Sequence, residues 1–591
     1  MIRDNGFAPI RSYAALGDGR TVALVAEDGS IDWLAAPTLD SPPVFAALLD
    51  PPDGGCFSLQ PVEEFQVLRG YLGDANVLAT TFRTATGSVR VTDALTTGTA
   101  GRLPWLELAR RIEGMEGEVH MRWAVAPGTR FGTTRPWTRA RDEAHLLHVG
   151  DQHLAVRCFD VGTPRREPQH FEGEFFATTG SRGLLALIGV DSEPVFLPSR
   201  DHIEDRLDRT IDDWLRWSDQ VAYDGPWCEQ VRRSALALKT LLYAPSGAIA
   251  AAPTTSLPEV LGGDRNYDYR YAWVRDASFT LDAMIRLGLA EEVHAAVSWL
   301  LGCLIKSSPD IHVFYKLDGG LDDRERELDA PGYRCSRPVR AGNSAARQTQ
   351  LGTFGDLFDM VWRYVREGHV IDSATERLLV RLADRCCDTW RQEDAGIWEL
   401  DELRHYTISK IGCWTALDRA LAMCEVGEIR SKSESRWRAE RDAIRVWVEK
   451  HCWSSRLGAY TFYAGSDELD AAVLLAGRTN FDTGPRLAST IDAICTELGR
   501  GPLLYRYTGM IGKEGAFVAC SFWLVDALVR VGRLDDARDL MDELLKLTND
   551  VGLLAEEMDP DDHSFLGNFP QGLSHLALIN AAATYAEAQR R

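Results

Sequence analysis

Three segments of this 591-residue chain hold side chains that could cleave an acetal. The first is Gly396-Ile397-Trp398-Glu399-Leu400, a glutamate beside a tryptophan in a glycine-containing turn. Acetal hydrolysis at neutral pH needs a proton for the departing oxygen and stabilisation of an oxocarbenium-like centre. Two carboxyl groups facing each other across the bond usually share that work. The acid member must stay protonated, and an apolar or aromatic neighbour achieves this by disfavouring the charged form. Glu399 has such a neighbour, although alone it is one of 87 acidic residues and acids in loops are common. The second segment is Leu553-Leu554-Ala555-Glu556-Glu557-Met558-Asp559-Pro560, followed by Gly567-Asn568-Phe569-Pro570-Gln571. Acids set in an apolar run are poorly explained as solvated surface. Pro570 also suits the first turn of a helix, where its missing N–H costs nothing.

The third segment, Gly262 to Asp276, packs four aromatics among three arginines and three aspartates. Flat apolar faces suit the C–H surface of a sugar, and bidentate charged groups suit its vicinal hydroxyls. Asp276 is equally placed to cap the helix that follows. The two roles are compatible, because a capping carboxylate keeps one oxygen free.

The elements that must position these segments change character along the chain. In the first two hundred residues Thr21–Ala26 and Ile31–Leu34 flank Asp28-Gly29, a strong hairpin turn. Val119, Met121, Trp123 and Val125 alternate with His120, Arg122 and Ala124, which predicts strands with one apolar face. Short strands with frequent turns predict an antiparallel β-sandwich over 1–200. Residues 201–225 read as a helical linker, with Trp214 and Trp217 on a common side. From 226 to 591 apolar residues recur at three-to-four spacing. Helices are predicted near 228–244, 276–288, 290–306, 351–367, 373–391, 408–425, 434–450, 468–476, 486–498, 515–531, 534–547 and 571–587. Twelve helices suggest pairs closing into a barrel, although periodicity by itself gives only an all-α domain.

A formal charge of −22 argues against nucleic acid or an anionic membrane as partner, since both need a basic surface. A neutral ligand is expected, and a homo-oligomer is compatible with the composition. The opening Met1-Ile2-Arg3-Asp4-Asn5 lacks the apolar core of a signal peptide, and the apolar run Trp299–Ile305 is far short of the ~18 residues that span a bilayer, so the cytoplasm is expected. The 12 cysteines are dispersed with no Cys-x-x-Cys pair, and the 13 histidines are equally scattered. Neither pattern builds a zinc site or a disulfide framework, and no metal or cofactor is expected.

Together the three segments resemble glycoside hydrolase family 15, which holds glucoamylases, glucodextranases and some bacterial and archaeal trehalases. The resemblance runs nearly end to end. It takes in Ile10-Arg11-Ser12-Tyr13-Ala14, Leu16-Gly17-Asp18-Gly19-Arg20, Asp28-Gly29-Ser30-Ile31-Asp32-Trp33-Leu34, Arg265–Asp276, Ser336-Arg337-Pro338-Val339-Arg340, the Glu399 turn and Gly567–Gln571. It implies a β-sandwich followed by an (α/α)6 barrel and an inverting mechanism. By resemblance Glu399 is the general acid and Glu556 the general base, with the adjacent Glu557 as its rival and as a substrate-binding candidate. Arg275 and Asp276 would hold the terminal glucose, Trp273 and Trp398 would be pocket walls, and Arg506 would belong to a further subsite. Tyr267 stands where relatives usually carry tryptophan, and Ile408 and Gly412 also depart from the pattern. The latter two fall after the acid loop, which makes the leaving-group side the expected place for a difference.

The function so implied is an exo-acting α-glucoside hydrolase, trehalase-like, with a glucoamylase-type enzyme on maltose or isomalto-oligosaccharides as the alternative. A phosphorylase would need one catalytic carboxyl group and a phosphate site, and Glu556 argues against it. A non-catalytic sugar-binding protein would have lost one of the two carboxylates.

Overall fold

The computed structural model describes residues 3–99, 101–141, 144–308, 310–321 and 324–590, so Met1 and Ile2 of the opening stretch lie outside it. The alternating first part of the chain folds into an antiparallel array. Val22–Ala26 and Ile31–Ala35 pair across Asp28-Gly29. Gly29 takes φ +83°, and a Cβ there would stand 2.4 Å from the Leu59 carbonyl oxygen, so only glycine fits the turn. The 22-residue strand Leu106–Pro127 serves both halves of the sandwich. Its first part pairs with Gly87–Leu95 and Arg182–Asp191, and its second with Gly55–Pro61 and Phe171–Thr178. Val119, Met121, Trp123 and Val125 are buried while Arg122 is exposed, as the alternation requires.

Thirteen α-helices are found among the described residues. Helix α1 (Arg200–Ser218) leads from the sandwich to the helical part, its first turn capped by Ser199. There follow α2 (Cys228–Leu241), α3 (Val274–Arg286), α4 (Ala290–Ser307), α5 (Thr353–Arg366), α6 (Ser373–Thr389), α7 (Thr407–Glu425), α8 (Glu434–His451), α9 (Leu475–Arg478), α10 (Pro485–Leu498), α11 (Val518–Arg530), α12 (Leu534–Leu545) and α13 (Gly572–Gln589). Helices α3, α5, α7, α9 with its 3-10 lead-in Ala471–Leu474, α11 and α13 form a closed inner ring, in which α13 packs back on α3. The other six barrel helices lie outside it. This is the (α/α)6 arrangement. Burial explains the sorting: α11 and α13 have almost no solvated face, whereas the outer α8 and α12 bury only three residues each. The expected helix at 468–476 is split because Asp470 caps a 3-10 turn ahead of the short α9.

No described helix is long and apolar enough to cross a membrane.

Candidate active site

Loops at one end of the inner ring carry the three chemistry-bearing segments. The acid candidate sits between α6 and α7. Glu399 adopts φ +59°, a left-handed backbone that a residue with a Cβ takes at a cost of roughly 1–2 kcal/mol. Its loop is clamped from several sides. Arg275 Nη1 donates to the Ile397 carbonyl (2.9 Å) and Gln348 Nε2 to the Glu399 carbonyl (2.9 Å). Asp394 accepts from Leu351 N, Gly396 N and Ser409 Oγ. The buried Lys410 ammonium donates to the carbonyls of Trp390 and Gln392, which follow the end of α6. The carboxyl group itself accepts one bond, from Trp273 Nε1 at 2.7 Å. Burial raises the Glu399 pKa from its ordinary value, against the opposing pull of Arg275 and the indole N–H. That is the environment of a group kept protonated to give its proton away.

Glu556 and Glu557 point to different partners, as neighbours in an extended segment must. Glu556 Oε2 accepts from the Asn568 backbone N–H at 2.9 Å. Its pKa is pushed up to about 8 by burial and by the charge of Glu259, partly countered by the Asn568 N–H and the Tyr269 hydroxyl. Glu557 Oε2 accepts from Gly515 N at 2.9 Å, and its side chain faces Glu259 and Glu514. Burial and those two carboxylates raise its pKa well above the ordinary value.

These three glutamates bring oxygens within 4.8 Å of one another, the spacing of a cation site. A cation is already there: Arg506 Nη2 lies 2.7 Å from Glu259 Oε2 and bonds Glu514, and Arg265 pairs with Glu514 too. Arg506, expected to reach substrate, is therefore held by Glu259 and Glu514, with Glu557 Oε1 3.7 Å away, and its guanidinium lies 5.5 Å from the centre of the Trp398 ring.

The third segment supplies the floor. Arg275 and Asp276 lie in the first turn of α3, and Arg275 Nε donates to Asp276 Oδ1 at 2.6 Å. Asp276 is not the cap, a position taken by Trp273. Trp273 and Trp398 are only 2% and 8% exposed, so each holds other groups more than it offers an open face. Trp273 packs on Tyr269, Tyr271 and Phe314, and Trp398 on Tyr507, Phe517 and Trp523. Trp398 Nε1 donates to Asp470 Oδ1 at 2.8 Å. Asp470 is a buried carboxyl whose pKa rises to about 7 for want of solvent. Beneath Arg275 a cavity of about 50 Å³ is lined by Asp356, Ile408, Gly412 and Arg478 among others. Ile408 and Gly412 therefore face the barrel interior. A Cβ on Gly412 would meet the Gly352 backbone at 2.7 Å, so this glycine serves the close crossing of α5 and α7.

Sequence reasoning missed Tyr269, whose ring packs on Trp273, the donor to Glu399, and which feels the charge of both Glu556 and Glu399. It also missed Gln348, Asp470 and Glu259. Tyr269 stood within a segment already singled out and Glu259 just ahead of it; Gln348 and Asp470 come from distant parts of the chain and carry no local signal.

The model of glycosyl hydrolases family 15 matches residues 227–583. The chain belongs to this family. A second model, the trehalase-like N-terminal domain, matches residues 3–158. Curated relatives within the family include the trehalase of Mycobacterium tuberculosis, 35% identical over 98% of this chain and 89% of that protein. The trehalase of Thermoplasma volcanium is 30% identical over 99% of this chain and 94% of its own. A bacterial glucoamylase solved with acarbose has the same fold, with a TM-score of 0.73 at 13% identity, covering 99% of this chain and 95% of that one. The family 15 protein described here is thus a glycoside hydrolase with both a sandwich and a barrel.

Proposed function

We propose that the enzyme is an exo-acting, inverting hydrolase that splits trehalose into two glucose molecules, with the chemistry in residues 226–591. Glu399 gives its proton to the departing oxygen, and Glu556 takes one from the attacking water. The observation that carries the roles is a pair of carboxyls on separate loops, Glu556 buried and Glu399 half-buried, with Tyr269 packed on Trp273, the donor to Glu399. Glu399 is tied to an indole N–H and carried on a loop bonded by Arg275 and Gln348, as a proton donor that must be aimed should be. Glu556 is fixed through Oε2 by the Asn568 N–H and reached by the Tyr269 hydroxyl, and in its ionised form it can accept a proton from water. Arg275 and Asp276 hold the terminal glucose, and the Arg275 bond to Ile397 ties that grip to the acid loop. Trehalose as substrate is supported by curated relatives named trehalase along nearly the whole chain.

Initial rates on trehalose, maltose and isomaltose decide the substrate; a preference for maltose would favour the glucoamylase-type reading. Inversion is read by proton NMR of fresh product. Trehalose should give α- and β-glucose in equal amounts before mutarotation, and α-glucose alone would overturn the mechanism. Glu399→Gln should lose ~10² to 10⁴-fold in turnover on substrates with poor leaving groups and much less on α-glucosyl fluoride, whose leaving group needs no strong acid.

A further inference from the structure

The Ile10-Arg11-Ser12-Tyr13 run belongs to the β-sandwich part of the chain, yet its arginine points at the barrel. Arg11 Nη1 donates to the Leu547 carbonyl (3.0 Å) and the His563 carbonyl (3.3 Å), and Nη2 to the Thr548 carbonyl (2.7 Å). Its guanidinium also lies 4.9 Å from the centre of the Phe565 ring. No carboxylate lies within ion-pair distance of Arg11 among the described residues, so its donors are directed at main-chain oxygens. These oxygens bracket Glu556: Leu547 and Thr548 precede it, and His563 follows it. Phe565 lies in the short strand Phe565–Leu566 that pairs with Glu557–Met558.

The contact is reciprocated. Asn549 Nδ2 donates to the Arg11 carbonyl (3.1 Å) and the Tyr13 carbonyl (2.9 Å), while its Oδ1 accepts from Val551 N and Leu553 N in its own turn. Next to it Arg69, from the strand Gln66–Tyr71, holds Asp550 with two bonds of 2.7 Å. Both ends of the segment that presents Glu556 are thereby fastened to the sandwich.

We propose that Arg11 is a positioning residue for catalysis: together with Asn549 it straps the Glu556 segment to the sandwich and sets where the base stands relative to the attacking water. The sandwich is then part of the catalytic apparatus. This rests on the reading of Glu556 as the base. A planar guanidinium reaches three carbonyls at fixed angles, which an ammonium cannot do. A shift of about 1 Å in a reacting group can cost ~10²-fold in rate.

The test uses the full chain with α-glucosyl fluoride and the best natural substrate. Arg11→Ala should lower kcat about 10²-fold on both, with KM within a few-fold of wild type. The loss should not depend on the leaving group, because the base is disturbed and the acid is not. Sodium azide, which attacks C1 without a base, displaces fluoride to give the β-glucosyl azide. It should raise turnover on the fluoride for Arg11→Ala and for Glu556→Gln alike. Arg11→Lys should restore little. A folded Arg11→Ala with wild-type kcat, or a loss that azide leaves untouched, overturns the proposal, since a merely destabilised fold gains nothing from azide. Should Arg11→Ala not fold, Asn549→Asp carries the test: it keeps an oxygen for both acceptor bonds within its own turn and replaces the donation to the sandwich by a carboxylate oxygen that repels the Arg11 and Tyr13 carbonyls. A fully active Glu556→Gln would sink the base assignment itself, a failure distinct from that of the strap.

Discussion

Replacing Trp273 by phenylalanine removes the one hydrogen bond made to the Glu399 carboxyl group among the described residues, the 2.7 Å bond from the indole N–H, and leaves most of the apolar ring in place. A donor of this kind favours the ionised acid, so its loss must raise the Glu399 pKa further. Hydrogen bonds to charged groups contribute ~1.5 to 3 kcal/mol, and 1.36 kcal/mol corresponds to about one pKa unit, so the expected rise is roughly one to two units. The general acid works in its protonated form. The limb of the pH–rate profile on which activity falls as pH rises should therefore move upward. Turnover at the optimum should also drop on substrates with poor leaving groups, because the carboxyl is no longer aimed. Profiles of kcat on the natural substrate and on α-glucosyl fluoride measure both effects, with circular dichroism to confirm folding. A limb that stays in place or moves down would refute the argument that the indole N–H tunes the acid.

Glu556→Gln should cost ~10² to 10⁴-fold in kcat, whereas Glu557→Gln should act mainly on stability and on Arg506; the reverse ranking, read from steady-state rates, would transfer the base role to Glu557. Arg275→Ala and Asp276→Asn should weaken every substrate in the panel to a similar degree, and damage confined to one linkage would move them to another subsite. The limb of kcat/KM on which activity falls as pH drops should lie well above the ordinary glutamate value of about 4.3, because burial and Glu259 raise the pKa of the base and the base must be ionised to act. Glu259→Gln should bring that limb down, and an unmoved limb would remove Glu259 from the account.

The division of the fold could be read from the chain because period two and period 3.6 are set by geometry, and both halves bury one face. Helix ends were harder where side chains serve two purposes. Asp276 looked like a cap but pairs with Arg275, and the turn starts at Trp273. Asp470 breaks the 468–476 helix while also holding Trp398. Glu556 and Glu557 stood out through their apolar run, whereas Glu399, one of 87 acidic residues, was picked out by the family resemblance. What the chain could not announce was how they are tuned, since Glu259 lies 247 residues from its partner Arg506 and Gln348 lies 51 from Glu399. Such pairs arise only when the ring closes. The ion pairs of Arg506 are of this kind, as is the strained backbone of Glu399, which nothing in its neighbours foretells.

The seam where α13 packs on α2 and α3 also dictates the order in which the molecule can become an enzyme. Bonds across it join residues very far apart in the chain: His575 to Ser234 at a separation of 341, and Asn580 to Phe279 at 301. The Arg11 bonds to the Glu556 segment span more than 530 residues. Contacts of such long range form late, because the entropy of closing large loops must be met before they give anything back. Until then the inner helices expose apolar flanks on which a neighbouring nascent chain can settle. The segment that presents Glu556 lies immediately before α13 and takes its place only when the seam shuts. A chain whose ring or strap is still open lacks a placed Glu556, so activity requires both closures and not only the strands and helices that they join.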